Sequence, residues 1–143
     1  MPLTGVWMNE LNSIMVLEDH ADGSLTGKYR SVVGRDPNIR DLTGRTSAEE
    51  QGKQMLGFAV GFQIDSPGPG YGHYSLCTWS GWARGKEITT HWLLAISMLE
   101  QKNEWSSTLI GEDTFEKVLD VADEKHLEAD TKALSELLAR ARS

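Results

Sequence analysis

A set of small polar residues falls where alternating strands would turn them inward: Asn9, Ser13, Tyr29, Ser31, Ser75, Cys77, Thr78 and Asp113. Interleaved with them are Phe62, Trp79, Trp92 and Trp105. Amide, hydroxyl and phenol groups donate, a carboxylate accepts, and aromatic rings supply flat apolar walls. That inventory could hold a small ligand. Polar groups inside a barrel cost free energy unless paired, so the set either satisfies itself or awaits a ligand. For any one of them the surface or self-satisfied reading prevails; for the set together both readings stay open. The chain has no glycine-rich phosphate loop, no nucleophile elbow and no close pair of carboxylates in an apolar context, so catalysis is not expected.

The elements that must position these side chains are short β-type runs broken by turn residues from Gly5 to about Thr114, the pattern of an antiparallel barrel or sandwich. Val6 to Met8 and Ile14 to Leu17 flank the polar corner Asn9-Glu-Leu-Asn-Ser13. Ala21 to Ser24 reads as a hairpin turn, with Gly23 taking positive φ. Leu25 to Val33, Ile39 to Thr46 and Met55 to Ile64 follow, the last with Gly57 and Gly61 where a barrel bends or lets another group approach. Asp65-Ser-Pro-Gly-Pro-Gly70 is a long exposed loop, and Tyr71 to Ala83 and Glu87 to Leu99 pair through Arg84-Gly-Lys86. The closing strand is placed at Glu104 to Phe115. The fold class is therefore all-β, an eight-stranded antiparallel up-and-down barrel, the size whose interior can hold one small ligand.

That closing strand sets a geometric problem. Trp105 and Asp113 would lie about 26 Å apart on a straight strand, at roughly 3.3 Å per residue. They cannot both touch one small ligand within one chain. Either Trp105 is core, or it serves a neighbour's site in a symmetric oligomer.

The 143 residues suffice for one domain that stands without metal or disulfide support. With 14 basic and 21 acidic residues, a net charge of −7 gives no electrostatic case for nucleic acid. Cys77 is the single cysteine, which excludes an intrachain disulfide, and no Cys/His spacing suggests a metal. No apolar run approaches the ~20 residues needed to span a bilayer. The first strand lies so near Met1 that no signal peptide is expected in the chain as given, which leaves the compartment undecided.

Composition changes after Phe115. Val118 to Ser143 lacks glycine, proline and aromatic residues, and Leu127, Leu134, Leu138 and Ala141 share one helical face with Leu137 beside it. Acidic residues come first and Arg140 and Arg142 last, as suits the helix dipole. The expected organisation is a barrel over 1–117 and an amphipathic helical extension over 118–143. The helix needs a surface or partner, expected on a neighbouring barrel or symmetry mate. A sharper expectation is that it plugs the open end of the site.

Gly5-Val-Trp-Met-Asn9, Leu11 and Ser13, Asp22-Gly-Ser-Leu-Thr-Gly-Lys-Tyr29, Leu42-Thr-Gly-Arg45, Thr78-Trp-Ser-Gly81, Thr90-His-Trp-Leu-Leu94 and Trp105 to Phe115 together resemble the avidin and streptavidin family of biotin-binding proteins, over roughly residues 3 to 117. The Asn-Glu-Leu-Asn-Ser corner is most similar to fungal members. Streptavidin is itself a standing example of the eight-stranded barrel that holds one ligand. The resemblance implies a homo-oligomer, a tetramer or larger, with biotin as ligand and no cofactor. It implies that Asn9, Ser13 and Tyr29 donate to the ureido oxygen, and that Ser31 and Asp113 accept the ureido N–H groups. It also implies that Phe62, Trp79 and Trp92 wall the ring, that Leu11, Val33 and Leu94 fill gaps, and that Ser75 binds the valeryl carboxylate near Arg35. Trp105 would enter a neighbour's site.

Three departures stand out. Phe62 replaces a streptavidin tryptophan, a loss of order 1 kcal/mol at ~25 cal/mol per Å². Cys77 replaces a hydroxyl facing the ring sulfur. Arg35 replaces an asparagine, and its guanidinium could pair with the carboxylate or stay solvated. Two other classes of function remain: a carrier of a different cyclic ligand, and an assembly scaffold whose working part is the tail.

Overall fold

The structure is a computed structural model and describes residues 3–31, 36–127 and 139. Eight strands run β1 Gly5–Asn9, β2 Ile14–Asp19, β3 Ser24–Arg30, β4 Arg40–Thr46, β5 Gln54–Gln63, β6 Tyr71–Arg84, β7 Glu87–Met98 and β8 Thr108–Leu119. Each pairs antiparallel with the next, and β8 returns to β1 to close the barrel. The hairpin after β2 forms as expected, with Gly23 at φ 85° and its amide donating to the His20 carbonyl.

Alternation divides the side chains. Trp7, Met15, Leu17, Leu25, Leu42, Leu56, Phe58, Ala83, Ile88 and Phe115 point inward and fill one half of the interior. The other half, where β1, β3, β5 and β7 end, is left for the site. The walls differ in height: β1 to β4 have five to seven residues, whereas β5 to β8 have ten to fourteen. The taller wall carries Phe62, Ser75 and Leu94 beyond the packed half.

Several expectations are corrected. Thr78 is exposed; with Cys77 and Trp79 buried on either side of it, a period of two sends it outward. Gly57 and Gly61 are not close approaches, since a Cβ on them would meet nothing nearer than 3.4 and 3.9 Å. The crowding is at Gly44, where a Cβ would lie 2.0 Å from the Gly57 carbonyl oxygen.

The closing strand starts at Thr108, not Glu104, because residues 101–106 form a 3₁₀ turn. Local bonds compete with the ladder there: the Ser107 amide and hydroxyl both donate to the Glu104 carbonyl, at 3.1 and 2.6 Å. Trp105 therefore sits in the β7–β8 connection, and its separation from Asp113 is not that of two residues on one strand. Its side chain lies outside the described residues.

At the other end, β8 continues to Leu119, with Val6 opposite Leu119 and Trp7 opposite Lys117. The expected helix does not begin at Asp120. The chain bends, and Glu124–Leu127 make one 3₁₀ turn. Leu127 is buried in a second apolar cluster with Val6, Met8, Ile14 and Val16, flanked by Val118, Leu119 and Ala122. The start of the extension thus covers the outer face of β1 and β2 of its own barrel. The remainder of the expected helix falls, apart from Ala139, outside the described residues.

Candidate ligand-binding cavity

The open half of the barrel encloses a cavity of about 710 Å³. Its floor and polar wall come from Asn9, Ser13, Tyr29, Ser31, Cys77 and Asp113. Its apolar wall comes from Leu11, Phe62, Trp79, Trp92 and Leu94, and Ser75 stands on the tall side. The residues singled out in the sequence are thereby brought together, save four. Thr78 faces outward. Val33 and Arg35 lie outside the described residues, as does the side chain of Trp105.

The β1–β2 corner is built by Asn9. Its side-chain oxygen accepts from the amides of Leu11 at 3.0 Å and Ser13 at 2.9 Å, and its backbone bonds with Ser13 and Asn12 close the turn. Asn12 takes φ 67°, a left-handed conformation that asparagine tolerates. This leaves the Asn9 amide group to donate, and Asp113 is one acceptor within its reach. Ser13 bonds to the Tyr29 hydroxyl. The three donors are oriented by each other and by the backbone before any ligand arrives.

Asp113 is 7% exposed. Its Oδ2 accepts from the Trp79 indole at 2.9 Å, and its carbonyl accepts from the Thr90 hydroxyl at 2.8 Å. Burial, opposed by the Trp79 bond and reinforced by Glu10, pushes its carboxyl up to about 6. Burial, with Asp113 adding to it, also pushes the Cys77 thiol up to about 12 and raises the Tyr29 phenol. Both are neutral near pH 7, so Tyr29 serves as a donor and Cys77 as a weak one.

The walls are locked by aromatic contacts. Trp79 stacks on Phe58 with centroids 4.9 Å apart and an 18° interplanar angle, and Tyr29 lies 5.1 Å from Trp79 and 6.0 Å, edge-on, from Phe62. Trp92 depends on Gly111 opposite it in β8, because a Cβ there would come within 2.2 Å of the indole ring.

Some wall residues escaped the sequence reading. Pro67, Gly68 and Pro69, in the loop expected to be long and exposed, line the mouth. Asp36 does too, and its buried carboxylate accepts from Arg40 Nε at 2.7 Å, Arg40 Nη2 at 3.2 Å, the Asn38 amide at 3.1 Å and the Gln63 amide at 2.9 Å. It ties the β3–β4 connection to the end of β5, next to Phe62. Burial opposes its ionisation, but Arg40 and the two amides prevail and hold the carboxyl below its ordinary value. The signal was present: Asp-Pro-Asn followed by an arginine four residues after the aspartate.

A closed antiparallel barrel, packed at one end and opening at the other into a cavity with convergent donors and aromatic walls, defines the class of small-ligand-binding barrels. Residues 1–118 match the model of the Avidin family, and the chain belongs to that family. It is similar to avidin-related protein 4/5 of Gallus gallus, 27% identical over an alignment of 127 positions that covers 83% of this chain and 79% of that relative.

Proposed function

We propose that the cavity captures biotin, tightly and without covalent change. The observation that carries this reading is the convergence of Asn9, Ser13 and Tyr29 on one side of the cavity with Asp113 beside them. Three neutral donors suit one oxygen that carries partial negative charge, and a carboxylate suits an N–H group. Both are features of a cyclic urea. Ser31 would take the second N–H, Trp79, Trp92 and Phe62 would wall the rings, and Ser75 would meet the carboxylate tail at the mouth. Arg35 and Val33 are proposed to add to the mouth and wall.

The perturbed groups also favour binding over turnover. A thiol held up near 12 is not a nucleophile at pH 7. A phenol raised by burial is not a general base. Donors set for the ground state lower a dissociation constant without lowering a barrier.

The working unit is proposed to be a homo-oligomer, a tetramer or larger. On the outer face of β6 to β8, Leu76, Leu93 and Ile110 are 49%, 46% and 77% exposed, with Leu93 directly opposite Ile110. An apolar strip of this kind suits an isologous contact with a second copy. Trp105, in the turn joining β7 to β8, is proposed to complete a neighbour's cavity.

Replacing the donors one at a time, with Asn9→Ala, Ser13→Ala and Tyr29→Phe, should weaken biotin binding by about 1–3 kcal/mol each, since every loss leaves the ureido oxygen short of a partner. Three variants that bind as tightly as the parent protein would contradict the ureido assignment.

A further inference from the structure

Glu10 follows Asn9 in the β1–β2 corner, and its carboxylate reaches across to β8. Its Oε2 accepts from the Thr114 amide at 3.0 Å, one residue beyond Asp113. The two carboxyl groups stand within hydrogen-bonding reach of each other, Glu10 exposed and Asp113 buried. Two carboxylates so placed repel if both ionise, and one proton between them relieves the repulsion. Of the other titratable groups that act with Asp113, Tyr29 on β3 and Cys77 on β6 are held neutral by burial. They take no part in this competition below pH 8.

We propose that Glu10 contests the ionisation of Asp113 and thereby sets the pH window in which the cavity accepts an N–H donor. The inference rests on the biotin reading for the identity of that donor. An ionised Asp113 offers the ligand a full carboxylate acceptor. A protonated Asp113 offers a weaker carbonyl oxygen and has its own proton to place, so binding must expel that proton. Capture is then strong in neutral and alkaline solution and is lost as acidity rises, while the Trp79 indole that donates to Asp113 Oδ2 reports the change.

Burial and Glu10 together place the Asp113 midpoint at about 6. Below it the biotin dissociation constant should rise about tenfold per pH unit, the signature of one expelled proton. Glu10→Gln keeps an oxygen for the Thr114 amide and removes the charge. It should move the midpoint down by about half a pH unit or more, but not to the ordinary aspartate value, because burial persists.

The experiment follows the Trp79 indole N–H resonance of the ligand-free protein from pH 4 to 8, identified by its loss in Trp79→Phe, in the parent protein and in Glu10→Gln. Biotin affinity is measured over the same range. A titration that shifts downward in Glu10→Gln, matched by an equal shift in the pH dependence of binding, supports the proposal. A resonance that does not titrate, a midpoint that Glu10→Gln leaves in place, or an affinity flat from pH 5 to 8 overturns it. No biotin binding at pH 8, with the Glu10-dependent titration intact, would count against biotin as the ligand and in favour of the coupled carboxyls.

Discussion

Asp113 shows what it costs to bury a carboxyl group beside a cavity. Its carboxyl is raised from 3.8 to about 6 in the folded chain, so the folded state holds this proton more tightly than the unfolded state does. The resulting stabilisation is fully present below pH 3.8 and is lost as the pH rises through about 6. Ionised and without ligand, the residue therefore opposes folding. Asp113→Asn should remove this penalty. In thermal melts of the ligand-free protein at pH 8 the variant should be more stable by about 1 kcal/mol after allowance for solvent at the open mouth, or about 3 °C. At pH 4 the difference should vanish. Biotin binding should weaken in the same variant, because an amide oxygen accepts less strongly than a carboxylate. A destabilised variant at pH 8 would show that Asp113 is structural and not a strained acceptor.

Single residues were legible where alternation and side-chain chemistry agree. Asn9, Ser13, Tyr29, Cys77 and Asp113 were placed inward and line the cavity. Thr78 was misplaced although its neighbours fix its parity. Asp36 has a local signal in Arg40, four residues on, but its place at the mouth depends on the Gln63 amide, which reaches it only when β4 and β5 pair.

At the scale of elements, strand positions follow from turn residues, and their ends do not. Glu104 and Trp105 have strand-like neighbours, yet Ser107 satisfies the Glu104 carbonyl locally and the ladder begins after it. The extension is the larger lesson. Its helical spacing of leucines identifies an apolar face and leaves open what that face covers. For Leu127 the answer is the outside of β1 and β2, where Val6, Met8, Ile14 and Val16 would otherwise meet water. The described start of the extension thus lies on the barrel's side wall, which takes the expected plug no nearer the mouth. Leu127→Ala should destabilise the protein by about 2–4 kcal/mol in chemical denaturation, as for other buried leucines. Biotin affinity should hold within a few-fold, since Leu127 packs on the outer face of β1 and β2 and does not line the cavity. A neutral effect on stability would mean that the turn at Glu124–Leu127 is not seated on the barrel in solution.

For the whole molecule, the two outer faces of the barrel differ. One is covered by the chain's own extension, and the other presents Leu76, Leu93 and Ile110 uncovered. With a net charge of −7, identical chains repel at long range, so the proposed association would rest on short-range burial of this strip. Leu93→Glu should therefore lower the assembly state in light scattering. It should also speed biotin release if Trp105 completes a neighbour's site. An unchanged mass would place the interface elsewhere.

The proposed function requires that each cavity hold one biotin. Calorimetric titration at pH 8, with light scattering on the same sample to fix the number of chains, tests it most directly. The prediction is a sharp transition at one biotin per chain, strongly exothermic because several hydrogen bonds form in a preformed site. Heat no larger than dilution from a folded oligomer would contradict it, and would mean that this family barrel serves a different ligand.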